Sequence, residues 1–311
     1  MTITVDRFLA GVKRRITMPS NQVLLKDDAI LEIADDCMRD QVVPFILSTN
    51  QNYFATVETV PVVDGVDKYD VPERSMGQGL RDLKLMRDAN ASNVSDLSLI
   101  ALEDAHYFAE KGQPTGFYFM GDQIVLVPGP VGDAYSLLVY YNIQQNKLKP
   151  TTQAAMVSSV SGDTVVCTSA GSGLISGTKV DFIKGKSGCR ILGKDIAIQS
   201  VSGVTFTFAT DAVPDDVVAG DYIALAKTTP LLQIPDEVQP YFEAVTCERC
   251  LESIGDYEGA QKINSKMAEF LQNAAKVLSP RVEGETTKIV NRKGLLRGKG
   301  FSYWRNRGGF I

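Results

Sequence analysis

The sequence has few of the residues that most catalytic and metal chemistry requires. Its 311 residues include one histidine, His106, and five scattered cysteines. A single histidine leaves most zinc, haem and Ser-His-Asp sites without their ligands. An odd, scattered set of cysteines does not form a disulfide framework, so we expect a reducing compartment. We also expect no cofactor and no bound metal.

Long apolar runs are missing as well. No stretch approaches the roughly 20 apolar residues that cross a bilayer, and the N-terminal residues lack the apolar run of a signal peptide. Hydrophobic residues make up 44% of the chain and charged residues 22%, which is typical of a globular protein. We therefore expect neither secretion nor membrane insertion, and the length predicts two or three compact units.

Four short patterns could carry chemistry, and each has a simpler explanation. Cys247 and Cys250 have redox or zinc spacing, but they fall within a predicted helix without a second cysteine pair, which favours core packing. Gly185-Lys186-Ser187 lacks the leading glycine of a phosphate loop, and His106 has no nucleophile beside it in the sequence. The fourth pattern consists of acidic pairs predicted to be solvated surface: Asp27-Asp28, Asp35-Asp36 and Asp215-Asp216. The sequence thus predicts no enzyme.

The first half of the chain alternates between helical and strand patterns. Residues 5–16 and 29–42 carry apolar side chains at helical spacing, which predicts two amphipathic helices. Residues 53–73 alternate around an Asp64-Gly65 turn and predict a β-hairpin that ends at Pro72. Residues 114–142 predict three further strands. We assign residues 1–150 to one core of helices and β-hairpins.

The second half begins with a strand-only region. Residues 151–228 show short alternating strands and frequent small-residue turns, which predicts an inserted all-β barrel or sandwich. Residues 229–280 predict a helical hairpin that completes the core, with Asp236 capping the first helix, Gly255 ending it, Asp256 capping the second and Pro280 ending the pair. The predicted fold class is α+β. Residues 281–311 form a basic, aromatic tail.

This order of elements resembles the head-to-tail adaptor, or connector, proteins of short-tailed double-stranded-DNA bacteriophages. The resemblance rests on Gly65, Tyr69 and Pro72, on the Pro-Gly-Pro at 128–130, and on the Ile-Pro-Asp-Glu at 234–237. It covers residues 1–150 and 229–311 but not the β insertion. It implies a structural virion protein, made in the host cytoplasm and located at the head–tail junction. It also implies a ring of about twelve copies, with the portal protein on one side, tail or nozzle proteins on the other, and DNA passing through without specific binding.

The tail differs in charge from the rest of the chain. From Lys288 onward there are seven Lys and Arg residues and no acidic residue, so the net charge of −5 divides into +7 on the tail and −12 on residues 1–287. An acidic body suits the passage of DNA without tight phosphate contacts. We interpret the tail as a docking arm for the portal, in which aromatic anchors and cations supply the contacts. The predicted partner-binding residues are Arg292, Arg297, Phe301, Tyr303, Trp304, Arg305, Arg307 and Phe310.

Three other interpretations remain open at this point. Interleaved glycine, arginine and aromatic residues also suit a flexible nucleic-acid-binding segment, so a nucleic-acid-binding protein acting through its tail is the alternative function. A plain disordered tail and an unrecognised hydrolase complete the set. For the β insertion, carbohydrate binding at the cell surface is a further alternative, but its only aromatic residues lie at alternating strand positions, which predicts core residues first: Phe182, Phe206, Phe208 and Tyr222.

Overall fold

The computed structural model describes residues 3–16, 25–87, 94–108, 110–132, 135–186 and 190–278. Five α-helices occur in this part of the chain, and they are numbered in chain order: α1 (Val5–Arg15), α2 (Asp27–Cys37), α3 (Val43–Thr49), α4 (Gln239–Ile254) and α5 (Tyr257–Leu278). The same residues contain nineteen strands: β1 (Ala55–Pro61), β2 (Lys68–Asp70), β3 (Ser75–Met86), β4 (Val94–Asp96), β5 (Ser98–Leu99), β6 (Lys111–Gly112), β7 (Gly116–Met120), β8 (Gln123–Val127), β9 (Gly129–Pro130), β10 (Ser136–Ile143), β11 (Lys147–Leu148), β12 (Ala155–Ser161), β13 (Thr164–Cys167), β14 (Lys179–Ile183), β15 (Ile191–Ala197), β16 (Ser200–Ser202), β17 (Thr205–Thr207), β18 (Tyr222–Leu225) and β19 (Thr228–Thr229). The α+β prediction is confirmed.

The helices from both ends of the chain share one core. The side chain of Thr4 caps α1 by accepting a hydrogen bond from the Arg7 N–H, and Phe8 of α1 stacks on Phe242 of α4 with ring centroids 4.6 Å apart. α2 continues through a π-helical turn, Met38–Val42, into α3. Proline at position 44 has no N–H to donate to the preceding turn of the helix. This missing hydrogen bond accounts for the wider, π-helical turn at this point. The predicted amphipathic helices are therefore present, with a third helix added.

The C-terminal helical hairpin also forms, although one of its predicted caps does not. Gly255 ends α4 in the left-handed region at φ 89°, and the Asp256 carboxylate accepts the Gly259 N–H at the start of α5. Asp236 instead begins a 3₁₀ turn, Asp236–Val238, and no side chain caps α4. α5 is described as far as Leu278, so the predicted stop at Pro280 lies outside the described residues.

The predicted hairpin around Asp64 and Gly65 is wrong, although the turn itself exists. β1 pairs with β10 in the four-stranded antiparallel sheet β1–β10–β3–β4, whereas β2 pairs with β8 in the separate sheet β2–β8–β7–β5. The chain therefore crosses between sheets at this turn. Both sheets bury apolar side chains in one shared cluster that includes Leu83, Leu126 and Tyr141. This burial determines the pairing, because local alternation does not specify a partner strand.

The inserted β region curls around a core of its own. Its strands form one seven-stranded sheet in the order β15–β14–β18–β12–β13–β17–β16. Only residues 198 and 199 separate β15 from β16, so the two end strands of this sheet lie close together and the sheet curls into a barrel-like shape, which we call the β barrel. Phe182, Phe206 and Phe208 are fully buried inside it, as their alternating positions predict, whereas the fourth aromatic residue, Tyr222, is only partly buried. The segments that lead in and out pair with each other, β11 in parallel with β19.

Candidate functional site

An exposed apolar surface occupies the segment from Leu99 to Met120. β5 pairs in parallel with β7, and the chain between them begins with the 3₁₀ turn Leu102–Tyr107. The large apolar side chains that this arrangement leaves in solvent are Leu99 (66% exposed), Leu102 (61%), Tyr107 (77%), Phe108 (38%), Phe119 (39%) and Met120 (44%). We call these six residues the 99–120 surface. An accumulation of exposed apolar side chains within one segment is typical of protein interaction sites.

A buried ionic joint connects the β barrel to the rest of the chain. Asp181 of β14 is fully buried and accepts two hydrogen bonds from the Arg74 guanidinium, at 2.6 and 2.9 Å. Asn146 donates to the same carboxylate at 2.9 Å, and the backbone N–H groups of Asp195 and Lys227 donate at 3.0 Å each. One carboxylate therefore ties four separate segments together. We call Arg74, Asp181 and these donors the Asp181 joint.

The electrostatics of the joint favour the charged form of Arg74. Burial opposes the charge on Arg74, but hydrogen bonds to Asp181 and Asp195 outweigh burial and raise the pKa of Arg74. Asp195 and Lys227 both adopt the left-handed region, at φ 55° and 65°, where side chains are rarely found. Both direct their N–H groups at the Asp181 carboxylate. This strain persists because the bonds to a buried charge compensate for it.

A second polar contact joins the barrel to the four-stranded sheet. Lys194 of β15 donates to the Tyr141 hydroxyl at 2.6 Å and to the Glu58 carboxylate at 2.9 Å, and Tyr141 also donates to Glu58 at 2.8 Å. Burial alone would raise the pKa of Glu58, but the hydrogen bonds from Lys194 and Tyr141 lower it below its usual value. The barrel is thus held to the sheet at two polar contacts. A cleft of about 510 Å³ is lined in part by Phe54, Ile143 and Leu192.

Sequence reasoning missed both of these contacts. Arg74 and Asp181 are 107 positions apart, and Glu58 and Lys194 are 136 apart, so no local pattern connects them. One signal was available: Asp181 interrupts the apolar run Val180, Phe182, Ile183 within a predicted strand. A carboxylate in such a run needs a buried partner, because an uncompensated buried charge is very costly.

Cys247 and Cys250 are core residues, as predicted. Cys247 and Cys250 are fully buried, and burial raises the pKa of each thiol to about 12. The Cys247 Sγ approaches the Val12 carbonyl oxygen at 3.7 Å. Such thiols remain protonated and unreactive at neutral pH.

The other patterns also have defined positions. Gly185 lies in a barrel loop and donates its N–H to Asp221, while Ser187 is outside the described residues. His106 is exposed in the 3₁₀ turn and contacts the Tyr107 ring. No group of His, Cys, Asp and Glu suited to a metal occurs among the residues that the structure describes. In the same ranges no helix is long and apolar enough to cross a membrane.

One acidic pair departs from the prediction of solvated surface. Asp35 is half-buried, and its carboxylate accepts the Leu148 N–H of β11 at 3.0 Å. Burial raises the pKa of Asp35 to about 6, although that hydrogen bond and nearby cations act in the opposite direction. The eight predicted tail residues, from Arg292 to Phe310, all lie outside the described residues.

Comparison with known proteins adds no assignment. No protein-family model matches the chain, and no curated protein matches it.

Proposed function

We propose that this chain is a structural virion protein. It forms a ring at the head–tail junction, joins the portal vertex to the tail, and lets DNA pass through. The proposal starts from the resemblance to head-to-tail adaptors, which rests on Gly65, Tyr69, Pro72 and the motifs at 128–130 and 234–237. The single structural observation that carries it is the 99–120 surface, because such exposure suits a subunit that buries this surface in an assembly.

The charge of the chain fits the same role. Residues 1–287 carry a net charge of −12 and the tail carries +7. A channel wall that held DNA by many Lys and Arg contacts would resist sliding, since each phosphate contact adds salt-dependent affinity. An acidic body avoids this resistance. The basic, aromatic tail then serves as the arm that docks on the portal, where its cations meet acidic side chains.

Native mass spectrometry of the chain with isolated portal tests the proposal. We expect complexes with about twelve copies, and replacement of Leu99 and Tyr107 by Ser should reduce ring formation at least tenfold, because these side chains would be buried between subunits. Ile175→Ser is the matched control, since Ile175 is equally exposed (64%) but lies in the barrel. A chain that stays monomeric with and without portal would refute the function.

The tail has a test of its own. Trp304 is the only tryptophan, so its emission reports on this segment without labelling. Portal should shift the emission to the blue, and deletion of residues 288–311 should weaken portal binding. The alternative function, nucleic-acid binding through the tail, is favoured by seven cations interleaved with aromatic residues. A blue shift with DNA and none with portal would select that alternative.

A further inference from the structure

The four-stranded sheet β1–β10–β3–β4 ends in two strands that are open on one side. β1 is the outer strand at one end and β4 at the other, and neither has a second neighbour among the described residues. Open strand edges readily pair with other strands, so most proteins block them with lysines, bulges or covering segments. Here the register of each edge defines which main-chain groups are available.

On the open edge of β1, two residues point both their N–H and their C=O groups outward. The Ile143 N–H bonds to the Phe54 carbonyl, and the Val62 N–H bonds to the Tyr135 carbonyl. The main-chain N–H and C=O groups of the even-numbered residues of β1 therefore point toward β10. In an antiparallel ladder the residues between them point their N–H and C=O groups away from the partner strand. In β1 these outward residues include Val57 and Thr59. The next one, Pro61, has no N–H, so the donor row ends there.

On the open edge of β4, two residues also point their main-chain groups outward. The Leu97 N–H bonds to the Leu83 carbonyl, and Ser95 lies opposite Leu85 in the same register. By the same alternation, the main-chain groups of Val94 and Asp96 point away from β3. These two residues have the same spacing as Val57 and Thr59. Two donors and two acceptors on one edge therefore match two donors and two acceptors on the other.

Protection is limited at both edges: Pro61 ends β1 beyond its two outward residues, and β4 is a short strand with one charge, Asp96, which pairs with Lys84. Val57 is 50% exposed and Val94 42% exposed, and no lysine lies on either edge strand. The one charge on β1, Glu58, is held by Tyr141 and Lys194. The β1 ladder is regular over its whole length, without a bulge that would turn the edge away. An extended strand could therefore approach either edge directly.

We propose that β1 of one copy pairs with β4 of the next copy, with Val57 opposite Asp96 and Thr59 opposite Val94. Each of these pairs exchanges two main-chain hydrogen bonds. Every neighbouring pair in the sheet is antiparallel, so β4 runs opposite to β1, and a rotated copy presents its β1 to β4 in the antiparallel sense. The occupant of each edge is thus a second copy of this chain.

This pairing is heterologous, because two different edges meet. Heterologous contacts generate closed rings when the rotation between copies closes. The inference rests on the proposed function and deepens it by naming one contact between subunits. The sheet would then continue from copy to copy around the ring.

Disulfide trapping tests the register directly. Val57→Cys with Asp96→Cys should give a ladder of covalent oligomers under mild oxidation, because directly opposite residues in such a pair lie about 5.5 Å apart at Cα. Within one chain these positions are separated by two strands, about 14 Å across the sheet, which exceeds the roughly 7 Å limit of a disulfide. Val57→Cys with Ser95→Cys is the matched control, because a one-residue shift places the second thiol on the other face. Cys189, outside the described residues, is replaced by Ser in both variants.

Assembly of edge variants gives an independent measurement. Thr59→Pro removes an outward N–H and leaves the β1–β10 ladder intact, so it should reduce ring formation at least tenfold while the fold is retained. Val57→Lys should act similarly by placing a charge on the edge. Val218→Lys is its control, since Val218 is 48% exposed but lies in the barrel.

The outcomes separate this inference from the function on which it rests. Rings of unmodified chain that persist in the Thr59→Pro and Val57→Lys variants would overturn the edge pairing and leave the ring function standing. Equal cross-linking in the two cysteine variants would also overturn the register. An unmodified chain that never forms rings would overturn the proposed function and the pairing together.

Discussion

Replacement of Asp181 by Asn tests the buried joint most directly. The Asp181 carboxylate receives two bonds from Arg74 and one each from Asn146, Asp195 and Lys227. Asn has nearly the same size, but it carries no charge and converts one accepting oxygen into a donating NH₂ group. At least two of the groups that now donate to Asp181 would then face the donating NH₂ group of Asn. The variant therefore changes the electrostatics and hydrogen bonding of the joint and leaves its packing in place.

The expected loss is large because Arg74 stays buried. Its side chain is only 6% exposed, so water cannot replace the missing carboxylate, and its remaining partner Asp195 is 32% exposed and better screened. Breaking a buried ion pair by removing one partner typically costs about 3–5 kcal/mol. We expect Asp181→Asn to lower the free energy of unfolding by about that amount. Asp195→Asn, which breaks the more exposed contact, should cost about 1 kcal/mol.

Urea denaturation followed by far-ultraviolet circular dichroism measures these free energies. The double variant Arg74→Met, Asp181→Leu should cost less than the sum of Arg74→Met and Asp181→Leu alone, because it removes both charges together. A loss below about 1 kcal/mol for Asp181→Asn, or additive single and double variants, would refute the view that this ion pair holds the joint.

Two further predictions concern groups whose pKa is raised by burial. The pKa of Asp35 rises from 3.8 to about 6 on folding, so the folded chain holds this proton more tightly than the unfolded chain, and stability should fall as pH rises through that window. Asp35→Asn, which still accepts the Leu148 N–H, should flatten this part of the pH titration of unfolding free energy; an unchanged slope would contradict the assignment. The Cys247 and Cys250 thiols, each with a pKa of about 12, should resist iodoacetamide in the folded protein at about pH 8 and react after denaturation. Peptide mapping by mass spectrometry measures this, and alkylation of either thiol under native conditions would contradict their burial.

The sequence by itself determined the features whose cause is local. Helical spacing of apolar residues identified α1, α2 and α5, and Gly255 marked the end of α4 because glycine adopts the left-handed conformation without strain. Cys247 and Cys250 were placed in the core because they fall within a predicted helix and the chain has no second cysteine pair for a redox or zinc site. Alternation also revealed the strands of the barrel and the burial of its phenylalanines. Each of these signals lies within a few residues of its consequence.

Only the tertiary structure decided which distant segments meet. Alternation showed that β1 is a strand, but the burial of Leu83 and Tyr141 in a shared core pairs it with β10 instead of β2. The Asp181 joint connects residues 107 positions apart, and no periodic pattern links them. The same holds for the open edges of β1 and β4, because whether a strand lies at an edge depends on which strands are its neighbours. Sequence periodicity reports the conformation of a segment, whereas its partners depend on how the whole chain buries its apolar surface and compensates its buried charges.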